Sequence, residues 1–562
     1  MDTEHTRLNL LLNHEIVNVV TAIRQTARSS MKQDDVRGEP SRYDEALRSL
    51  RADIFKQKSW RDVDPMLYLK PLLLLIKTPD ISGPVTGAAA VALQHILRSD
   101  LITLQTVNAE ASINQVVEDA TQCRFESTYN PDDNRQHHSK DELVLLNIIQ
   151  VLTTAVECQA GILINDEVLC KAFQASFMLG DPVTKPKEYG EIIGVYSRQA
   201  CGRMVRLLFG RLASVSANSE ATAMSPDQLR SQCCHGVKAA ADVLDFLVGL
   251  LAVKDSNGLA ASVQSHEGSE AALLFAFEMV HLALVSLGPE LAAYPELLSM
   301  VHCEVLAAMC QASVVASSPA ASTAVAQVVL ALYTFVGAQS IGQLEVVLQR
   351  VLFKLADGQG VSGAEQQQAA LEGLLDIIHA PGFLHDMFVN CDCRLERSDL
   401  FSQLCTLLCR IALPGIKGGV GPLQAIACDG LASMLVTLAA DVKAGPGLTL
   451  AEVDLPFFID VWTPLVKGQP LQVGSALEAL SPAAQGEDSE GRKQIRSALF
   501  ERGLKRKVAL AVDHFNIDYK KGLQFLQGNR LLPLLVGSPI AARMPASELA
   551  SARCVRGTGT AC

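Results

Sequence analysis

The sequence predicts an all-α protein built as an armadillo- or HEAT-like helical solenoid with a disordered C-terminal tail. Apolar residues recur at helical spacing along most of the chain, and no stretch alternates apolar and polar residues between turn signals as a half-buried strand would. About fifteen such helices are more than one bundle can bury, so helix pairs must stack on one another. The 562 residues are 49% hydrophobic, 5% aromatic and 19% charged. That is enough apolar side chain for a large core, supplied mainly by Ala, Leu and Val.

Taken in order, the first helix is expected from Asn13, an N-cap residue type, with Ile16, Val20, Ile23 and Ala27 on one stripe. A second follows Asp64-Pro65, where the carboxylate can cap and the proline occupies the first turn. A third follows Ser82-Gly83-Pro84 and buries Val85, Ala89, Ala92 and Ile96. Ser139 with Glu142 forms a capping box ahead of Val144, Ile148, Leu152 and Ala155 or Val156. Further helices are expected over 165–178, 189–214, 227–253, 269–287, 294–312, 320–336, 341–356, 364–379, 398–412, 422–440 and 492–511. Polar or small-residue gaps at 30–45, 126–140, 215–227, 254–268, 357–365, 441–449 and 481–491 read as loops. No repeat motif sets a period.

Charge and chemistry narrow the function classes. With 48 Lys and Arg against 60 Asp and Glu the net charge is -12, which leaves no electrostatic footprint for nucleic acid. The first thirty residues lack the apolar run of a secretion signal, and fifteen scattered cysteines fit a reducing cytosol. Val305 to Leu344 carries no charge, but Gln, Ser, Thr and Pro interrupt it, so it reads as two buried helices rather than a membrane span of roughly 20 residues. No phosphate loop, dinucleotide fingerprint, nucleophile elbow, zinc-protease helix or calcium loop is found, which argues against a free-standing enzyme, and no cofactor or metal is expected. Cys391, Cys393, Cys405 and Cys409 have a spacing that zinc accepts, but the last pair alternates with leucines and reads as buried thiols. His137-His138 reads as a surface loop, and Lys505-Arg506-Lys507 as the solvated face of a helix.

One stretch has an order that periodicity does not explain. Phe388-Val389-Asn390-Cys391-Asp392-Cys393 resembles the HUS box of the large Arf guanine-nucleotide exchange factors, usually Asn-Tyr-Asp-Cys-Asp. Asn390, Asp392 and Cys393 match, while Cys391 stands for the tyrosine and Arg394 for the final aspartate. Tyr68-Leu69-Lys70-Pro71-Leu72, the Gly83, Pro84 and Gly87 pattern, and Arg203 to Leu212 resemble the dimerisation and cyclophilin-binding (DCB) domain of the Golgi-type (GNOM/Gea/GBF-like) subgroup. Asp513-His514-Phe515-Asn516 and Lys520-Lys521-Gly522 resemble the opening of the Sec7 catalytic domain.

The resemblance implies a DCB-like domain over 1–215, a HUS-like domain over 228–445, a linker and helix over 446–505, the start of a truncated Sec7 domain over 506–532 and an unrelated disordered tail over 533–562. It implies a regulatory and dimerisation region of an Arf exchange factor acting in Golgi and ER vesicle trafficking. The implied partners are a second copy through the DCB region, DCB–HUS contacts, and Arf and Rab GTPases, with the chain peripheral on Golgi membranes. In that family a Sec7 glutamate displaces magnesium and β-phosphate from Arf-bound GDP. No residue of this chain matches its motif, so the chain is not expected to be an enzyme by itself. A helical scaffold or transport adaptor without an exchange role is the alternative. Asn390 and Asp392 are expected to cap or brace the junction between the helix ending near Met387 and the one beginning near Ser398.

Overall fold

A computed structural model gives the fold, and the structure describes residues 2–30, 40–57, 59–99, 101–126, 138–180, 191–222, 236–251, 264–315, 318–359, 363–413, 421–444 and 490–528. The expectations for 446–489, for 529–562 and for His137 lie outside these residues. Among the described residues there is no strand, only an isolated bridge between Ser82 and Glu126. The chain is an all-α solenoid. It divides into two compact units, one of Met1–Leu384 with Gln403–Thr437 and one of His385–Ser402 with Leu438–Cys562.

In the first unit the helices are α1 (Asp2–Ser30), α2 (Pro40–Ile54), α3 (Met66–Lys77), α4 (Gly83–Arg98), α5 (Ala109–Thr121), α6 (His138–Glu157), α7 (Asp166–Gly180) and α8 (Glu191–Thr222). They continue as α9 (Val237–Leu251), α10 (Gln264–Leu287), α11 (Pro295–Met300), α12 (Leu306–Val315), α13 (Pro319–Val336), α14 (Ile341–Val347), α15 (Phe353–Ala356) and α16 (Ala364–Ile378). Two layers emerge from their packing. One runs α1, α4, α6, α8, α10, α13, α16, each helix against the next, and the other runs α2, α3, α5, α7, α9, α12, α14. Each helix of one layer also packs on a sequence neighbour in the other, which is the construction of a solenoid.

Aromatic rings tie neighbouring helices together within one layer and across to the other. Phe173 and Phe177 of α7 meet Phe246 of α9 edge-on, with centroids 5.9 and 5.6 Å apart. Phe177 also lies 4.7 Å from Phe275 of α10. Such pairs contribute about 0.5–1.5 kcal/mol beyond their burial. Segments Glu270–Ala293 and Pro319–Ala356 are long and apolar enough to cross a membrane by length and composition, yet about half of each apolar window is buried inside the protein. Pro422–Ala440, within α19 (Pro422–Ala444), meets the same length and composition test with 17% buried.

Several expected boundaries are corrected. The first helix begins at Asp2, not Asn13, because Leu8 and Leu12 extend the buried stripe of Ile16, Val20 and Ile23 toward the N-terminus. Asn13 instead accepts a hydrogen bond from Arg51 Nε at 2.7 Å. Helices α2 and α5 add to the expected set, although Leu47, Leu50 and Ile54, and Ile113, Val116, Val117 and Ala120, form buried stripes at helical spacing. Helix ends also reach into the expected loops: α2 starts at Pro40, α6 at His138, α8 runs to Thr222 and α10 starts at Gln264. The Asp64 carboxylate accepts from Met66 N at 2.9 Å ahead of α3, and Pro65 stands just before the first turn.

Candidate functional site

In the second unit, which takes in the last three residues of the short helix α17 (Phe383–Met387) and the first three of α18 (Leu400–Ala412), Phe388–Asp392 form a π turn that continues α17 and ends eight residues before α18 starts. The Cys393 amide donates to Phe388 O at 2.9 Å and closes the turn. Cys391, Asp392 and Cys393 are all buried. A buried carboxylate costs free energy unless hydrogen bonds replace water. Asp392 finds them at the head of α18, where it accepts from Phe401 N at 2.8 Å, Ser402 N at 3.2 Å and Ser402 Oγ at 2.9 Å. Asp392 thus braces the junction as an N-cap. Asn390, expected to share that role, instead bonds within its own helical stretch, its Nδ2 donating to Asp386 O at 2.9 Å one turn back.

The other face of this turn meets α20 (Glu490–Ile517), which is followed by α21 (Tyr519–Gly528). Lys505 Nζ donates to Cys391 O at 2.9 Å and pairs with Asp399 at 2.6 Å. It also stands 3.5 Å from Asp392 O. The carbonyls at the end of a helical turn lack intrahelical donors and carry partial negative charge, so an ammonium is well matched there. Arg502 places its guanidinium 4.3 Å from the centroid of Phe388, whose ring also meets Phe401 edge-on at 5.7 Å. Arg394, at the position where the family pattern has an aspartate, lies 3.8 Å from Glu501. Burial pushes the Cys393 thiol up and the Arg502 guanidinium down from their ordinary values. A raised thiol pKa makes Cys393 a poor nucleophile. Asp392 and Lys505 bond to backbone groups and neighbouring side chains, so the arrangement fastens helices rather than transforming a substrate.

This geometry corrects two sequence expectations. Lys505, expected on a solvated face, has a side chain only 12% exposed because it reaches the turn carbonyls, while Arg506 is exposed. Of the four cysteines at zinc-like spacing, Cys391 and Cys393 are buried, Cys405 is half-buried and Cys409 is exposed rather than a buried thiol. Among the described residues no group of three or more His, Cys, Asp and Glu side chains converges on a metal position. Sequence reasoning missed Lys505, Arg502, Glu501 and Asp399 as members of this junction. No local signal marks them, because Glu501 and Lys505 at i, i+4 read as an ordinary charged pair on a helix surface.

The remaining motif residues lie elsewhere. Gly83 and Gly87 sit one turn apart on α4 where it packs on α6, with Pro84 in the first turn. A Cβ on Gly83 would meet Asp141 Oδ1 at 3.3 Å, and one on Gly87 would meet Val144 Cγ2 at 3.4 Å. Gln94 continues the seam by donating to Asn147 O at 3.0 Å. In the second unit, Phe515 and Asn516 end α20, and Lys520, Lys521 and Gly522 open α21. The Asp518 carboxylate caps α21 by accepting from Lys520 N at 2.9 Å. A Cβ on Gly522 would fall 2.5 Å from Phe515 Cα, so only glycine lets the two helices close. Asn516, Lys520 and Lys521 are exposed.

A family model described as the HUS domain of Mon2/Sec7/BIG1-like proteins matches residues 236–400, which take in the Asp392 turn. The chain is 26% identical over 596 aligned positions to the ARF guanine-nucleotide exchange factor GNOM of Arabidopsis thaliana, covering 94% of this chain and 39% of the relative. It is 25% identical to the ARF guanine-nucleotide exchange factor GNL2 of the same organism, covering 93% of this chain and 37% of that one. ARF guanine-nucleotide exchange factor 1 of Saccharomyces cerevisiae is 20% identical, with 71% of this chain and 31% of the relative covered. The chain therefore spans less than two fifths of the length of these curated relatives.

Proposed function

We propose that the chain, which is similar along most of its length to large Arf guanine-nucleotide exchange factors of the GNOM type, is the regulatory and dimerisation region of such a factor, acting in Golgi and ER vesicle trafficking. The similarity that covers 94% of this chain but 39% of GNOM carries the reading, because it runs along nearly all of a solenoid that holds the HUS match. In this proposal residues 1–215 form the DCB-like domain, 228–445 the HUS-like domain and 506–532 the opening of a Sec7 domain. Exchange on Arf then needs a Sec7 core, because no glutamate in this sequence matches the family's catalytic motif.

The physical role of the region follows from its construction. A stack of helices in which each contacts only its neighbours presents a long surface at low folding cost, suited to holding several partners at once. The partners proposed are a second copy of the chain through the DCB-like part, the HUS-like part, and Arf and Rab GTPases at a Golgi membrane. The Asp392–Lys505 junction fixes α20, the helix that carries Phe515 and leads into Gly522, to the HUS-box-like turn. Ten residues separate Lys505 from Phe515, about 15 Å along a helix, so what fixes one end also sets the direction of the other. Light scattering at micromolar concentration tests the self-association. The expected result is a mass of twice 60.3 kDa or more, and a single 60.3 kDa species would overturn it.

A further inference from the structure

In the first unit a shallow groove of about 440 Å³ opens between α8 and α10. Its wall carries Arg198, Arg203 and Arg206, and its floor is Gly202, Met279 and Leu282. Gly202 brings the helices close, since a Cβ there would already touch Leu282 at 3.5 Å. No acidic residue lines it. The guanidinium groups are loosely held: Arg198 is 4.0 Å from Glu278 and Arg203 is 3.6 Å from Glu157, against about 2.7–2.9 Å for a charge-assisted hydrogen bond. Arg206 makes no ion pair among the described residues. In a chain of net charge -12, three arginines that face only two carboxylates, at 3.6 and 4.0 Å, form a locally basic patch.

The same face of α8 continues toward its N-terminus with Ile192, Val195 and Tyr196, all exposed. Residues 192, 195, 196, 199, 203 and 206 fall on one stripe at 100° per residue, apolar in its first half and basic in its second. It is about 21 Å long, or four helical turns.

We propose that this stripe and groove dock an acidic amphipathic helix of a partner protein. Its apolar residues would cover Ile192, Val195 and Tyr196 and enter the Met279–Leu282 floor, and its carboxylates would pair with Arg203 and Arg206. Charge decides between occupants. A second copy meeting this face by two-fold symmetry would set a basic stripe against its own kind. A flat bilayer would not reach the recessed floor. This docking surface is independent of the exchange-factor reading.

The test uses the full chain and a labelled synthetic helical peptide of about 18 residues, with Leu on one face of its first half and Glu on the same face of its second. A counterpart with Lys for Glu and phosphatidylserine vesicles are the other probes. By fluorescence anisotropy at low salt, the Glu peptide is expected to bind at least about tenfold tighter than the Lys peptide. Arg203→Glu with Arg206→Glu should weaken it about tenfold or more, Gly202→Leu should weaken it by filling the floor, and Lys354→Glu, elsewhere in the unit, should leave it unchanged. Equal binding of the two peptides, or parental affinity in both groove variants, would overturn the proposal. So would vesicle binding that depends on Arg203 and Arg206 while the Glu peptide is ignored.

Discussion

Replacing Asp392 by alanine removes three hydrogen bonds at once, to Phe401 N, Ser402 N and Ser402 Oγ, from a carboxylate that is 1% exposed. Loss of an N-cap costs about 0.5–2 kcal/mol, and a donor left unpaired away from water costs about 1–3 kcal/mol. With partial rehydration of the helix end, the sum for this site is about 2–4 kcal/mol. Asp392→Asn keeps one acceptor and loses the charge, so about 1 kcal/mol is expected. A chain with two compact units does not yield one free energy of unfolding, so the readout must be local. Amide hydrogen exchange at Phe401 and Ser402 supplies it, because protection there reports opening of the α18 head. At 1.36 kcal/mol per tenfold, protection should fall about 30- to 900-fold in Asp392→Ala and about fivefold in Asp392→Asn. A change within about twofold in the alanine variant would refute the cap as the element that holds this junction.

Gly522→Ala puts a methyl 2.5 Å from Phe515 Cα and 2.7 Å from Phe515 N, and should cost about 1–3 kcal/mol by exchange protection over α21, whereas unchanged protection would contradict the close approach. Gly87→Ala should be tolerated, since its Cβ makes ordinary contact with Val144 and gains helix propensity, while Gly87→Leu should destabilise the α4–α6 seam by about 1–3 kcal/mol in urea titration. Among the described cysteines, with iodoacetamide at pH 8, exposed Cys303, Cys409 and Cys428 should label first, and buried Cys201 and Cys393, whose thiols burial pushes up, should label only after denaturation. Prompt labelling of Cys393 would count against its placement under α20.

Much of the fold was legible because an amphipathic helix writes its period into neighbouring residues. The helices expected at 165–178, 320–336, 341–356, 364–379 and 398–412 correspond to structure within a few residues, apart from a π turn at Leu348–Leu352. What periodicity does not mark is where a helix ends among polar residues, so α8 runs on to Thr222 and α1 starts at Asp2. The stack itself has no sequence period, because successive helices of one layer begin unevenly at 83, 138, 191, 264, 319 and 364. At the junction, Asp392 was readable as a cap because a short carboxylate between apolar residues has few other uses. Lys505 was not. Its partners Cys391 and Asp392 are more than a hundred residues away, and no local pattern shows that a basic run turns one lysine inward.

Release of fluorescent GDP from Arf is the measurement that bears most directly on the proposed regulatory role. On the proposed reading, a regulatory solenoid with the opening of a Sec7 domain, the purified 562-residue chain should leave release at the intrinsic rate. Arf should release GDP rapidly when a Sec7 core is added in trans. Release by the chain alone at well above the intrinsic rate would contradict that role, because exchange would then reside in residues assigned to regulation.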